Sequence, residues 1–125
     1  MAKITIQHDE LAALVTRAFV NAGITDADAA MVADSLVDAN LVGHDSHGVV
    51  RVRGYLKQIR LGNTSTESKL QVLNETGALV VCDAKASLGQ VAMRRVIDRL
   101  LPKVREQGVG SATVVNCGHI GRLGE

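Results

Sequence analysis

With 125 residues, 46% of them hydrophobic and 22% charged, the chain is long enough for one globular domain and too apolar for a disordered tail. The formal net charge is +1 and the only aromatic residues are Phe19 and Tyr55, so neither a basic stripe nor a stacking platform for nucleic acid is expected. No apolar run approaches the ~20 residues of a membrane span, and the N-terminus lacks the apolar core of a signal peptide, so no membrane partner is expected either.

Two amphipathic helices are predicted at the start of the chain. In the first, apolar residues recur at i, i+3, i+4 and i+7, with Asp9 available to cap the start and Gly23 supplying the left-handed position at the end. Its buried face comprises Leu11, Leu14, Val15, Ala18, Phe19 and Ala22. Thr25 opens the second helix. The apolar side of that helix comprises Ala29, Val32, Ala33, Leu36 and Val37. Together these patterns predict a helical hairpin.

Residues 41–48 interrupt the helical pattern with two glycines, two histidines, an aspartate and a serine. After them, apolar residues return at helical spacing over residues 49–59, and Gly62 ends this third helix. Ser46 is available as the cap of the third helix. We therefore predict a helical N-terminal segment over residues 1–62.

The apolar period changes after the polar loop that follows the third helix. Residues 70–73 and 78–84 flank the turn-rich tetrapeptide at 74–77, which predicts a β-hairpin. Cys82 lies in the second apolar run and is predicted to be a small core residue. Neither Cys82 nor Cys117 belongs to a CxxC motif, and no export signal is evident, so we expect reduced thiols in the cytoplasm.

A long helix and a final strand complete the second half of the chain. Ser87 and Gln90 have the spacing of a capping box at the start of this helix. Pro102 removes a backbone donor inside it, which predicts a kink or an early end. A strand is predicted over residues 112–115. We therefore interpret residues 63–125 as an incomplete, β-rich α/β segment.

The densest cluster of chemically useful side chains is the run Gly43, His44, Asp45, Ser46, His47, Gly48, Val49, Val50, Arg51. If Ser46 caps the third helix, His47 and Arg51 lie one turn apart on the same face. A guanidinium can hold a carboxylate in a bidentate fork, and an imidazole beside it can protonate the alkoxide formed when the adjacent carbonyl is reduced. The alternative is that these are surface or capping residues. A zinc site at His44 and His47 would lack a third ligand.

A second cluster is the glycine-rich loop at residues 116–124, after the last strand. His119, flanked by Gly118 and Gly121, is suited to place an imidazole and backbone N–H groups beside a phosphate or nicotinamide. The alternative is a loop whose glycines only form turns. A dinucleotide fingerprint is absent, because the Gly-Val-Gly sequence at residues 108–110 precedes a strand and lacks a third glycine. Nicotinamide binding would therefore need a non-Rossmann arrangement.

These motifs resemble those of the type 2 malate/L-lactate dehydrogenase family, which also includes sulfolactate and ureidoglycolate dehydrogenases and diketogulonate reductases. The first resembling block covers residues 39–51 together with Tyr55. Three further blocks follow in the family's order, at residues 75–79, 88–92 and 116–124. The Ser-His-Gly and Asn-x-x-His-x-Gly motifs are its most specific parts, and the resemblance covers nearly the whole chain.

The resemblance implies an oxidoreductase that transfers a hydride between NAD or NADP and a small 2-hydroxy or 2-keto acid. It further implies a non-Rossmann α/β fold and a dimer or larger homo-oligomer. No metal is expected, because the residue spacing offers no third ligand beside His44 and His47. The catalytic proton would come from His47 or His119, and we favour His47 because its position at a helix start also explains Arg51. The residues placed at the substrate are Arg51, Ser46 and His44, and those placed at the cofactor are Asn116, His119 and Gly121.

Members of this family are much longer than this chain, and their central cofactor-binding segments would lie beyond Glu125. We therefore expect the chain to be an N-terminal fragment that carries half of an active site. The alternative hypothesis is a catalytically inactive remnant, or a domain used for self-association through its apolar helices.

Overall fold

The computed structural model describes residues 4–124, so the outermost residues of the two predicted segments, 1–3 and 125, lie outside the described part. The helices are α1 (His8–Asn21), α2 (Asp26–Leu41), α3 (Val52–Arg60) and α4 (Gly89–Gln107). The strands are β1 (Gln71–Glu75), β2 (Leu79–Asp83) and β3 (Ser111–Val115). Two short 3-10 turns, Asp45–His47 and Val49–Arg51, connect α2 to α3.

The ends of the helical hairpin match most of the local signals. Thr25 caps α2, with its hydroxyl oxygen accepting a hydrogen bond from the Asp28 N–H at 3.3 Å, and Gly23 adopts the predicted left-handed conformation with φ +97°. The prediction that Asp9 caps α1 is wrong. The helix begins earlier, because the Gln7 carbonyl already accepts from the Leu11 N–H, and Asp9 lies in the first turn.

The first hydrophobic core joins the helical hairpin to the start of α4. Its buried members are Val15, Phe19, Ile24, Ala29, Val32, Ala33, Leu36, Leu88 and Val91. Phe19 is fully buried, and its ring centroid lies 6.3 Å from that of Tyr55 on α3. Because Leu88 and Val91 belong to this core, the first turn of α4 is held against α1 and α2. The division at residues 62 and 63 stays a prediction.

The three strands form one mixed sheet in the order β1-β2-β3. Strands β1 and β2 pair antiparallel, which confirms the predicted hairpin, although the strand extends through Glu75 and a bulge lies between Val72 and Asn74. Strand β3 pairs parallel to β2 after the crossover through α4. Val80, Cys82 and Val96 are buried between sheet and helix, which confirms Cys82 as a core residue. The predicted mixed α/β class, with helices preceding a small sheet-containing unit, is confirmed.

Helix α4 differs from the sequence prediction at both ends. Ser87 and Gln90 do not form a capping box, because Leu88 is the N-cap and the Ser87 hydroxyl donates instead to the Ala84 carbonyl. The early end at Pro102 is also wrong, since α4 continues to Gln107. The helix continues past Pro102 because its next turn is tied to the β-hairpin. There, Lys103 Nζ donates a hydrogen bond to the Thr76 carbonyl at 2.8 Å.

Because Pro102 lies exposed inside α4 and leaves one backbone carbonyl without its helical donor, Pro102→Ala should stabilise the protein. We expect the free energy of unfolding to rise by about 1 to 3 kcal/mol, measured by urea denaturation. Glu106→Ala, an exposed change in the same helix, is the matched control and should shift stability by less than about 0.5 kcal/mol. Equal stability of Pro102→Ala and the wild type would contradict this account of α4.

Within residues 4–124, none of the helices combines the length and apolarity that crossing a membrane requires.

Candidate active site

The connection between α2 and α3 is built on the side chain of Asn40. Its Oδ1 accepts from the Val49 N–H at 2.9 Å, and its Nδ2 donates to Asp45 Oδ1 at 2.6 Å. Gly48 passes directly over it, so that a Cβ at position 48 would come within 2.2 Å of Asn40 Oδ1. The side chain of Asn40 therefore fixes both 3-10 turns from its place on the preceding helix.

This arrangement overturns the predicted start of α3. The helix begins at Val52, so Ser46 is not its cap and neither His47 nor Arg51 lies in its first turn. The physical reason is that Gly48 is extended, with φ −89° and ψ −154°, and interrupts the helical path between the two 3-10 turns. The N–H of Val49 finds its acceptor on Asn40, not on a capping serine.

The predicted substrate residues nevertheless lie together. The ring centroids of His44 and His47 are 4.1 Å apart, and those of His47 and His119 are 5.2 Å apart. Ser46 Oγ lies 3.0 Å from His47 Nδ1, and the Ser46 carbonyl accepts from Arg51 Nε at 2.7 Å. The structure thus brings one serine, three imidazoles and one guanidinium into a single cluster, which we name the histidine cluster: His44, Ser46, His47, Arg51 and His119.

Two residues that sequence reasoning did not place at the site hold His119 in this cluster. Tyr55 Oη, on α3, lies 2.6 Å from His119 Nδ1, and Gln90 Nε2, on α4, donates to Tyr55 Oη at 3.0 Å. At Gly89 a Cβ would come within 2.3 Å of the His119 carbonyl oxygen, so the start of α4 packs directly on the loop backbone. The available signals were the resemblance of Tyr55, together with residues 39–51, to one family block and that of residues 88–92 to another.

The predicted cofactor residues other than His119 fall in different places. Asn116 has φ +52°, and its Nδ2 donates to Asp83 Oδ1 at 3.1 Å, which commits the side chain to the end of β2. Gly121, with φ +74°, packs beside Ser35 and Gln90. Gly121 therefore packs on Gln90, which is bonded to the histidine cluster through Tyr55. Asn116 instead holds the start of the terminal loop against the end of β2.

Desolvation and nearby positive charge both favour the neutral form of the two central imidazoles. The pKa of His47 is lowered from its ordinary value of 6.5, first by desolvation and then by His44, Arg51 and Arg122. The pKa of His119 is lowered too, first by burial and then by Arg51 and His47. A bound carboxylate would offset the charge of Arg51 and raise both pKa values, which couples binding of an anion to uptake of a proton.

A cavity of about 360 Å³ lies beside the cluster, between α2, α4 and the terminal loop. The residues that line it are Met31, Asp34, Ser35, Asp38, Gln90, Met93, Arg94, Ile97, Ile120, Arg122 and Leu123. Gln90 is only 6% exposed, and its Oε1 has no hydrogen-bond partner among residues 4–124. A buried acceptor of this kind is costly unless a ligand donor reaches it. In the same part of the chain, no group of three His, Cys, Asp or Glu side chains is arranged to hold a metal ion.

Comparison with known proteins finds relatives across almost the whole chain. The family model described as malate/L-lactate dehydrogenase matches residues 6–125. Hydroxycarboxylate dehydrogenase B of Escherichia coli (strain K12) is 32% identical over 114 residues, which make up 91% of this chain and 32% of that protein. The chain spans about a third of the length of the curated relatives it matches.

Solved structures show the same fold. The structure of malate dehydrogenase from Pyrococcus horikoshii OT3 matches with a TM-score of 0.91 at 32% identity, over 94% of this chain and 34% of that one. Sulfolactate dehydrogenase from Methanocaldococcus jannaschii matches with a TM-score of 0.93 at 29% identity, over 97% of this chain and 35% of that one. The helical hairpin, the mixed sheet and the terminal loop are therefore shared with these dehydrogenases.

Proposed function

Because the chain belongs to the malate/L-lactate dehydrogenase family, we propose that it supplies the substrate-facing part of an oxidoreductase that interconverts a small 2-hydroxy acid and its 2-keto acid with NAD or NADP. The observation that carries this proposal is the placement of Arg51 beside two imidazoles, His47 and His119, whose pKa values are both lowered. A guanidinium recognises the carboxylate, and an imidazole next to it meets the oxygen on the adjacent carbon.

The geometry of Arg51 supports its role as the carboxylate anchor. Its Nε is already used on the Ser46 carbonyl, which orients the guanidinium. The two terminal nitrogens remain for a bidentate grip on a carboxylate. Held in this way, the 2-keto oxygen lies toward the imidazole rings, where His47 protonates it as the carbon is reduced. In the reverse direction, neutral His47 accepts the hydroxyl proton.

The cavity beside His119 is where we place the nicotinamide. The reduced cofactor supplies the hydride when it is bound. The size of the cavity is within the range of small-ligand sites, and Gln90 Oε1 is a buried acceptor suited to the carboxamide N–H of a nicotinamide. His119 and Gly121 would border the ring, and Asn116 would keep the loop in shape. No preference between NAD and NADP follows from these residues.

The direct test is to titrate the chain with NADH and with NADPH and to measure binding from the cofactor fluorescence. Oxidation of the bound cofactor is then measured with pyruvate, oxaloacetate and glyoxylate. Because the chain supplies only the substrate-facing part, cofactor binding and turnover with at least one acid would show that the site is completed when copies of the chain assemble. Sedimentation velocity run in parallel reports the homo-oligomer that we also propose. Absence of both binding and turnover would instead favour the non-catalytic alternative, a remnant or a self-association domain.

Substrate anchoring by Arg51 can be tested without turnover. In Arg51→Lys, a single ammonium replaces the fork, so we expect the Kd for pyruvate to rise about tenfold or more. Isothermal titration calorimetry at fixed ionic strength measures this change. Arg53→Lys is the matched control, because Arg53 is an exposed arginine two residues away. An unchanged Kd in Arg51→Lys, or an equal loss in Arg53→Lys, would rule out the carboxylate anchor.

A further inference from the structure

A chain of hydrogen bonds runs from α4 through α3 to the terminal loop. Gln90 Nε2 donates to Tyr55 Oη at 3.0 Å, and Tyr55 Oη lies 2.6 Å from His119 Nδ1. The three residues come from three separate elements and are 35 and 64 positions apart along the chain. We name this arrangement the Gln90–Tyr55–His119 relay.

The hydrogen-bond donors and acceptors favour one direction for the relay. An amide NH₂ group can only donate, so the Tyr55 oxygen is an acceptor toward Gln90. The single phenolic hydrogen is then free to be donated to His119, and in that arrangement the receiving ring nitrogen, Nδ1, carries a lone pair. In a neutral imidazole the hydrogen must therefore sit on the other nitrogen, Nε2.

We propose that Tyr55 and Gln90 are positioning residues that hold His119 as the neutral Nε2–H tautomer, so that His119 offers a hydrogen-bond donor, not a base, to a bound ligand oxygen. The role assigned to that donor rests on the proposed function, in which the ligand is a 2-keto acid. The tautomer assignment uses only the geometry of the relay and does not depend on the identity of the ligand. Nδ1 is occupied by Tyr55, and Nε2 is the ring nitrogen left for a ligand.

The surroundings of the relay favour the neutral forms of both Tyr55 and His119. Tyr55 keeps its hydrogen because burial raises the pKa of its phenol, an effect that outweighs the hydrogen bond from Gln90 and the charge of Arg51. The charged and titratable groups that face His119 are Arg51 and His47, and both lower its pKa. Gln90, which α4 contributes, carries no charge.

The relay also separates the roles of the two imidazoles. If His119 became an imidazolium, its Nδ1–H would need the Tyr55 oxygen as acceptor, and the phenolic hydrogen would lose its partner. Leaving a half-buried hydroxyl hydrogen unsatisfied costs free energy, so the relay opposes protonation of His119. His47, whose Nδ1 faces only the rotatable hydroxyl of Ser46, has no such restriction. Proton transfer therefore belongs to His47, and His119 polarises the same oxygen.

Nuclear magnetic resonance of the full chain labelled with ¹⁵N-histidine tests the tautomer directly. Two-bond ¹H–¹⁵N correlation spectra show which ring nitrogen carries the hydrogen, and His119→Asn identifies the resonances of His119. We expect the hydrogen on Nε2 and an acceptor Nδ1 in the wild type. Hydrogen on Nδ1 in the neutral wild-type ring would overturn the proposal, because Tyr55 would then be the acceptor.

Two variants test whether the relay is the cause. Tyr55→Phe removes the donor, and Gln90→Met removes the amide with little change in volume. In both we expect the titration midpoint of His119 to move upward and some Nδ1–H tautomer to appear, with the larger change in Tyr55→Phe. Gln71→Met, at an exposed strand position, should change neither. If both relay variants keep the wild-type tautomer and midpoint, the relay does not hold His119.

The measurement requires neither nicotinamide nor substrate. A chain that binds no NADH would contradict the proposed function while leaving the tautomer result to stand on its own. Conversely, if the chain reduces keto acids but His119 is the Nδ1–H tautomer, only the proposal about the relay is contradicted. Should Tyr55→Phe fail to fold, the wild-type spectrum and Gln90→Met still decide the proposal.

Discussion

Replacing Gly89 with alanine is expected to lower the free energy of unfolding by about 3 kcal/mol and to displace His119 from the histidine cluster. The added Cβ would come within 2.3 Å of the His119 carbonyl oxygen and 2.5 Å of the Gly118 carbonyl oxygen. Both are backbone atoms, so no side-chain rotation relieves the overlap. Because Leu88 and Val91 fix the start of α4 in the core, the loop is the part that moves.

Urea denaturation measures the loss of stability, and the tautomer spectrum of His119 measures the loss of its contact with Tyr55. Gly54→Ala is the matched control, since Gly54 lies in α3 and an added Cβ there meets no atom within 4 Å. Alanine at that helical position should raise stability by about 0.5 to 1 kcal/mol. If Gly89→Ala unfolds at the same urea concentration as the wild type with an unchanged spectrum, the close packing of α4 on the loop is wrong.

Periodic and local signals predicted the scaffold from the sequence. Apolar residues at helical spacing marked the hairpin of α1 and α2, and Thr25 capped α2 with the bond that its hydroxyl predicts. The change of period marked the β1–β2 hairpin. These features depend on contacts between residues close in sequence, where residue type and spacing carry the information.

The predictions from the sequence failed where a side chain from another element took the place of the local hydrogen-bond partner. Ser46 has the right chemistry for an N-cap, but Asn40 reaches from α2 and takes the Val49 N–H first. Gln90 has the spacing of a capping box with Ser87, yet its amide bonds Tyr55 on another helix. In both cases a tertiary hydrogen bond occupies a group that the local motif would have used.

The sequence predicted which residues meet in the histidine cluster, but it did not predict their geometry. His44, Ser46, His47 and Arg51 are neighbours in sequence, so their clustering follows from any compact connection between α2 and α3. His119 joins them only because α4 and the parallel pairing of β2 with β3 return the chain to the same edge. No local pattern contains this information, and the family resemblance alone linked the two motifs.

If the proposed function holds, replacing His47 with alanine is expected to reduce kcat for 2-keto acid reduction at least ~100-fold while leaving the Kd for NADH unchanged. His47 lies between His44 and His119 and borders Arg51, so its loss removes the proton donor and leaves the carboxylate anchor in place. Turnover is followed by NADH absorbance with saturating keto acid, and NADH affinity by fluorescence. His8→Ala, an exposed histidine at the start of α1, is the matched control and should turn over like the wild type.

The pH dependence of the rate distinguishes the loss of a proton donor in His47→Ala from a structural disturbance of the site. On the proposed function, oxidation of the hydroxy acid needs neutral His47, and the pKa of this imidazole in the ligand-free protein is lowered from its ordinary value of 6.5. The acidic limb of kcat/KM for oxidation, which reports the ligand-free protein, should therefore lie below pH 6.5, whereas reduction should accelerate as pH falls through the same range. In His47→Ala the limb should disappear together with most of the rate. A mutant that keeps the wild-type limb would assign the proton to another group, and His119 would then have to leave its neutral tautomer during turnover.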